Sequence, residues 1–334
     1  MNITEQGVLL KSKLAYLFVH TLLLLTSCLI LPVSAETTPA GASPDDKSTK
    51  QHRVFIIYTP GKTLHANIIQ QLSDNLNLTR PDIMISKVTA EEIIKTVDHK
   101  TDVILGIGYA GMNSANQHYA KTKKLFISTD PNRYRLDAKT NKNDAILYMT
   151  QPYCRQLQFI KSLNTQWKII SILHSRKKPI DSKAIRVCAN NFEIKVYIVS
   201  TTAEENLTGK IKHALNHSDV LLALPDSRIY NSKTVKNILL TSYRQRKPVI
   251  AFSNNFVNAG ALASINSSTE QIADSASKLI EQFFDSDMTF KKPANYPDEF
   301  DISINRQVFW ALDLTIPDID SIKSSLQNNA GELQ

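Results

Sequence analysis

The sequence predicts an α/β protein made of two units in series, each a parallel sheet covered by helices on both faces, with a hinge between them. Three observations carry this reading. From Arg53 onward, short apolar runs alternate with amphipathic stretches, the pattern of buried strands and their crossover helices. The alternation restarts near residue 151, and 334 residues are enough for two domains of ordinary size. Apolar residues make up 42% of the chain and charged residues 21%, a globular composition.

The chain opens on a different kind of segment. Lys11 and Lys13 precede the apolar stretch "LAYLFVHTLLLLTSCLILPVSAE", Val33-Ser34-Ala35 offers the small residues a signal peptidase reads, and the sequence turns polar at Glu36. Residues 1–35 are therefore expected to be a signal peptide for export to the periplasm through the Sec route. Two alternatives stand beside this: a retained membrane anchor, since the run is long enough to span a bilayer, and lipidation at Cys28, since Leu25-Thr26-Ser27-Cys28 fits a lipobox. Residues 36–52, rich in Thr, Ser and Pro, read as a flexible leader.

The first unit spans 53–150. "RVFIIYTP" is its opening strand, and 63–76 a helix with Leu64, Ile68, Ile69 and Leu72 at helical spacing. "IMISKV" is the next strand, and Thr89-Ala90-Glu91-Glu92 starts a helix with carboxylates in its first turn. "TDVILGIGY", a helix over 111–120, "KLFISTDP" and "AILYMT" complete the unit. The second spans 151–266, with helices at 152–166, 181–192, 203–217 and 232–246 between the strands "KIISILHS", "KVYIVST", "DVLLALPDS" and "PVIAFSN". Helix 268–284 and the stretch "FDISINRQVFWALDLTIP" come after the second unit has its strands. Residues 267–320 are therefore expected to return and pack on the first unit, leaving 321–334 as a tail.

Charge and cysteine usage narrow the function classes. The formal charge is +8, but the basic residues are scattered and the densest short group is Arg176-Lys177-Lys178. That is a solvated surface rather than a nucleic-acid footprint. Cys154 and Cys188 remain after cleavage at Ala35. An exported chain could join them, and two buried thiols fit equally well, because spacing does not place their Cα atoms. The sequence has no CxxC and no HExxH, and the eight His are dispersed, so no metal or cofactor is expected. It has neither a G-x-S-x-G elbow nor a P-loop, and no catalytic residues are assigned. "GIGYAG" lacks the full G-x-G-x-x-G spacing, which argues against dinucleotide binding.

Open parallel sheets bind ligands beyond the carboxyl ends of their strands. Reading off those positions gives Tyr58, Thr59, Gly108, Tyr109, Thr129 and Asp130 in the first unit, and Asp226, Ser227, Ser253 and Asn254 in the second. Hydroxyls, aromatics and a carboxylate facing each other across a cleft suit a small polar or zwitterionic molecule with an apolar part. Two roles compete for Asp226: contact with a cationic group of the ligand, or hydrogen bonds to its own turn or to a helix beginning near Ser232.

These residues carry a resemblance. Pro225-Asp226, Pro248-Val249-Ile250 and Gly260-Ala261-Leu262-Ala263, together with Thr129-Asp130-Pro131, "QPYCRQLQFIKSL" and "INRQVFWALDLTIP", resemble the ABC-transporter substrate-binding proteins of the tryptophan (aromatic amino acid) type. The resemblance covers roughly 53–317 and implies a type I periplasmic-binding-protein fold with two Rossmann-like lobes. It implies a binding protein, not an enzyme, that closes on a ligand such as an amino acid and delivers it to an inner-membrane ABC permease. A monomer is expected. Where the family commonly places Gly-Asn-x-Thr-Gly after its Asp-Pro, residues 132–143 read "NRYRLDAKTNKN", and the usual Gly-Thr is Gly108-Tyr109. The alternative function is an exported sensor or scaffold that keeps the fold and no longer serves transport.

Overall fold

The computed structural model describes residues 51–93, 101–128, 144–202 and 205–328. The apolar segment before residue 36 therefore lies outside the described residues, as do Thr129, Asp130 and most of the helix expected after Thr89. Among the described residues no helix is long and apolar enough to cross a membrane.

The first lobe is laid down by β1 (His52–Tyr58), α1 (Thr63–Thr79), β2 (Ile83–Thr89), β3 (Val103–Ile107), α2 (Gly108–His118), β4 (Lys123–Ser128) and β5 (Ala145–Tyr148). The second follows with α3 (Tyr153–Leu163), β6 (Ile169–Ser175), α4 (Ser182–Asn191), β7 (Lys195–Thr201), α5 (Leu207–Asn216), β8 (Val220–Leu222), α6 (Val235–Arg244), β9 (Val249–Ala251), α7 (Asn254–Asn258) and β10 (Ala263–Asn266). The apolar runs become strands because both faces of each sheet are covered. All five residues of β3 are buried, with α1 packed on one face and α2 on the other. The strand expected over 101–109 stops at Ile107, and Gly108 already opens α2.

The two lobes share a topology. The sheet orders are β11-β5-β4-β3-β1-β2 and β12-β10-β9-β8-β6-β7, so each lobe repeats the doubly wound order 2-1-3-4-5. Their topological switch points lie between β1 and β3 and between β6 and β8. In register, Tyr58 stands beside Ile107, and Ile172 beside Leu222.

The segment after β10 corrects the expected return. Helix α8 (Thr269–Asp285) and the short β11 (Ala294–Asn295) do pack on the first lobe. Ile272, Ala273, Ala276, Ile280 and Phe283 enter its core, and β11 extends its sheet beside β5. The chain then goes back. Strand β12 (Asp301–Ile304) pairs antiparallel with β10. Phe300, Phe309 of α9 (Arg306–Ala311), and Ile322 and Leu326 of α10 (Ile319–Asn328) bury themselves in the second lobe's core. An exposed edge strand and the unfilled face of α3 attract these apolar residues, so the expected unit 267–320 divides near residue 296 and the expected tail is largely helix.

The lobes are thus joined three times, at 149–152, 267–268 and 296–300. Gln151 ties these crossings together. Its Nε2 donates to Ser267 Oγ at 2.8 Å, and Ser267 Oγ donates to the Glu299 carbonyl at 2.6 Å. Helix α8 starts at the second crossing with a full capping box, Ser268 with Gln271. Cys154 and Cys188 form a disulfide between α3 and α4, with Cα atoms 4.8 Å apart, which decides between the two states left open by the sequence.

Candidate functional site

Among the described residues, Tyr58, Thr59, Gly108 and Tyr109 lie at the first lobe's switch point and Asp226 and Ser227 at the second's, with Ser253 and Asn254 after the neighbouring β9. In the first lobe, Tyr58 ends β1 against the core, with Thr59 after it, while Gly108 and the half-exposed Tyr109 open α2 at the end of the neighbouring β3. Their backbone is set by close packing. Gly108 has φ +72°, and a Cβ there would lie 2.6 Å from the His65 ring; a Cβ on Gly111 would lie 2.3 Å from the Ile57 carbonyl. The glycines of "GIGYAG" therefore seat α2 on β1 and leave room for His65. Sequence reading missed His65, since a lone histidine in a helix's first turn carries no signal. Its ring is held through the Thr59 backbone, Nδ1 is buried with no partner, and burial pulls its pKa below the ordinary imidazole value.

In the second lobe, β6, β8 and β9 lie side by side, which brings Ser175, Asp226–Ser227 and Ser253–Asn254 to one edge. Asp226 is buried, at 4% exposure, and it bridges the switch point. Its Oδ2 accepts the Ser175 N–H at 2.8 Å, and its Oδ1 accepts the Arg228 N–H at 3.1 Å. The Asp226 carbonyl accepts the N–H groups of Ile229 and Tyr230. The turn role expected as one alternative is therefore real; the helix near Ser232 begins only at Val235 and receives nothing from Asp226. Beside the carboxylate, Tyr230 is fully buried and donates to the Leu173 carbonyl at 3.3 Å. Burial first, and then the charge of Asp226, push its phenol far above the ordinary tyrosine range. The Ser175 hydroxyl is buried without a partner. Ser227 and Asn254 are exposed, and Ser253 is half-buried.

A recess opens over this edge. Leu173 and His174 line it from the end of β6, Lys178 and Ile180 from the loop after it, Leu224 and Asp226 from the loop after β8, Thr150 from the first crossing, and Tyr153 and Gln156 from the start of α3. Its wall is mainly apolar, with a carboxylate and an ammonium near each other. Lys178 Nζ donates to the Pro225 carbonyl at 2.6 Å, one residue from Asp226. The His174 Nδ1 donates to the Ser175 carbonyl at 3.0 Å, and Gln156 Nε2 to the Gln151 carbonyl at 2.7 Å. Sequence reading did not include Thr150, Tyr153 and Gln156, which only the crossing and α3 bring to the strand ends, nor Lys178, which lies in the loop just beyond Ser175. Among the described residues no group of three His, Cys, Asp or Glu is placed to hold a metal ion.

Comparison with known proteins agrees with this architecture. The family model described as "ABC transporter substrate binding protein" matches residues 85–325. No curated protein matches the sequence significantly. A substrate-binding protein with adhesive properties from Clostridium difficile, in a ligand-free, open structure, aligns with TM-score 0.61 at 16% identity, covering 80% of this chain and 96% of that one. An ABC domain from Streptococcus pneumonia in complex with L-Trp aligns with TM-score 0.59 at 15% identity, over 82% of this chain and 98% of that one. A conserved domain protein from Vibrio cholerae gives TM-score 0.58 at 16% identity over 82% and 98%. The fold is that of the type I periplasmic binding proteins.

Proposed function

Because the chain belongs to the ABC transporter substrate-binding protein family, we propose that it captures a small zwitterionic molecule with an apolar part, such as an amino acid, and delivers it to an ABC permease. The observation that supports this reading most is the recess over β6 and β8. It sits at the switch point where doubly wound sheets hold ligands, and it sets Asp226 and Lys178 against the apolar side chains of Leu173, Ile180 and Leu224. A ligand ammonium suits the Asp226 side and a ligand carboxylate the Lys178 side. Tyr58, Thr59, Gly108 and Tyr109 supply the facing wall when the lobes close, with Ser227, Ser253 and Asn254 at the rim. The role is binding; no residue of the site is assigned to chemistry.

Delivery to a permease fits a protein exported to the periplasm with residues 1–35 removed. Intact mass of the chain purified from its host reads this directly, and a lipid-modified Cys28 or an uncleaved chain would contradict it. The ligand reading is tested by a thermal-shift screen of the folded protein against the amino acids and related zwitterions. A true ligand at one hundred times its Kd adds about 2.7 kcal/mol to stability. A screen in which no zwitterion raises the melting temperature, while neutral sugars do, would replace this reading.

A further inference from the structure

Arg155, on the first turn of α3, is among the largest fully buried side chains, at 0% exposure. It sits where the three crossings meet. Its Nη1 donates to Gln151 Oε1 at 2.6 Å and to the Pro297 carbonyl at 3.3 Å. The Phe300 ring covers one face of the guanidinium, 4.8 Å from Cζ. The other edge is different: Nε and Nη2 are both buried and neither has a hydrogen-bond partner. Those two N–H groups point the same way, side by side, and form the fork that matches a carboxylate. A buried guanidinium with an empty fork is costly, and such orphans call for an explanation.

A carboxylate is at hand. Asp298 follows the residue whose carbonyl Arg155 already holds, and it is exposed. Its field is the one that opposes the effect of burial on the guanidinium. It also belongs to the third crossing, one of the segments whose dihedral angles must change when the lobes move.

We propose that Arg155 and Asp298 form a two-state latch at the hinge: the fork is empty in the arrangement described above and is filled by the Asp298 carboxylate in the alternate arrangement of the lobes. Neither residue lines the ligand recess. The pair sets the balance between the two arrangements, and through it the fraction of protein competent to bind.

The test uses the full chain, without ligand, carrying Cys28→Ser and nitroxide labels at Leu78→Cys on α1 and Tyr243→Cys on α6, both exposed, at 84% and 53%. Pulsed electron resonance then reads the distance between the lobes. Asp298→Asn should diminish the component belonging to the filled fork at least about fivefold. Asp298→Glu should retain that component. Arg155→Lys, which keeps the charge and loses the fork, should shift the distribution as Asp298→Asn does, and the double variant should go no further than either one. An unchanged distribution in Asp298→Asn overturns the latch, as does an additive effect in the double variant. Asp298 is exposed, so its variants keep the test decisive even if Arg155→Lys does not fold. No ligand enters the measurement, so its failure leaves the binding reading untouched, and a failed ligand screen leaves the latch standing.

Discussion

A backbone amide at the end of β6 and one in the loop after β8 converge on the Asp226 carboxylate, and this fixes what its loss does. Asp226→Ala strands the buried Ser175 N–H, while the exposed Arg228 N–H can turn to water. The expected loss is about 1–3 kcal/mol of stability. Asp226→Asn retains one acceptor but sets an NH2 group against an N–H, so it should also lower stability, by less. Urea unfolding of the three proteins checks this order; equal stability of wild type and Asp226→Asn would show that one oxygen suffices. His65 supplies a pH dependence. Its folded pKa is depressed by burial from 6.5, so the unfolded chain binds the proton more readily and stability falls as pH drops below that value. In His65→Gln this loss is absent, and melting temperatures of the two proteins should converge or cross as the pH falls from 7.5 to 5. At this scale sequence reading sees residue type and strand position, which single out Asp226. It does not see which oxygen meets which amide, nor that His65 lies over Gly108.

At the scale of elements, the disulfide is the clearest staple. Cys154 in α3 and Cys188 in α4 lie 34 residues apart and enclose all of β6. Closing a loop of that length restricts the unfolded chain by about 3–4 kcal/mol. The pair Cys154→Ala and Cys188→Ala should therefore lower the urea midpoint, with the unfolding slope increased by the freer unfolded state. An unchanged midpoint would mean that the thiols pack equally well unjoined. Most strands and helices are legible, because runs such as "VFIIY" and "KVYIVST" are long, apolar and β-branched. The elements of the last segment are not. β11 has two residues and β12 four, all partly exposed or exposed, and such short strands leave no periodicity to read. Their pairing partners are set by which sheet edge is open, a property of the assembled lobes.

Seen whole, the molecule is two copies of one topology joined by three strands of chain, and the repeat is what makes the candidate site predictable. Tyr58–Thr59 and Gly108–Tyr109 flank one switch point and Asp226–Ser227 lie at the other, because both sheets reverse order after their first strand, while Ser253–Asn254 follow the next strand, β9. The restart of the strand–helix pattern near residue 151 announces this in the sequence. The hinge is less visible there. Gln151, Ser267 and Glu299 meet across more than a hundred residues, and nothing local to any of them marks a meeting point.

The double return of the chain also has a consequence in time. The first sheet lacks its edge until residues 294–295 arrive, and the second until 301–304 do. Helix α8, which shares one face of the first lobe with α1, is made only after the second lobe's strands. A chain emerging from the ribosome amino end first therefore cannot complete either lobe until nearly all of it has been synthesised. The final segment is thus the clasp that finishes both lobes.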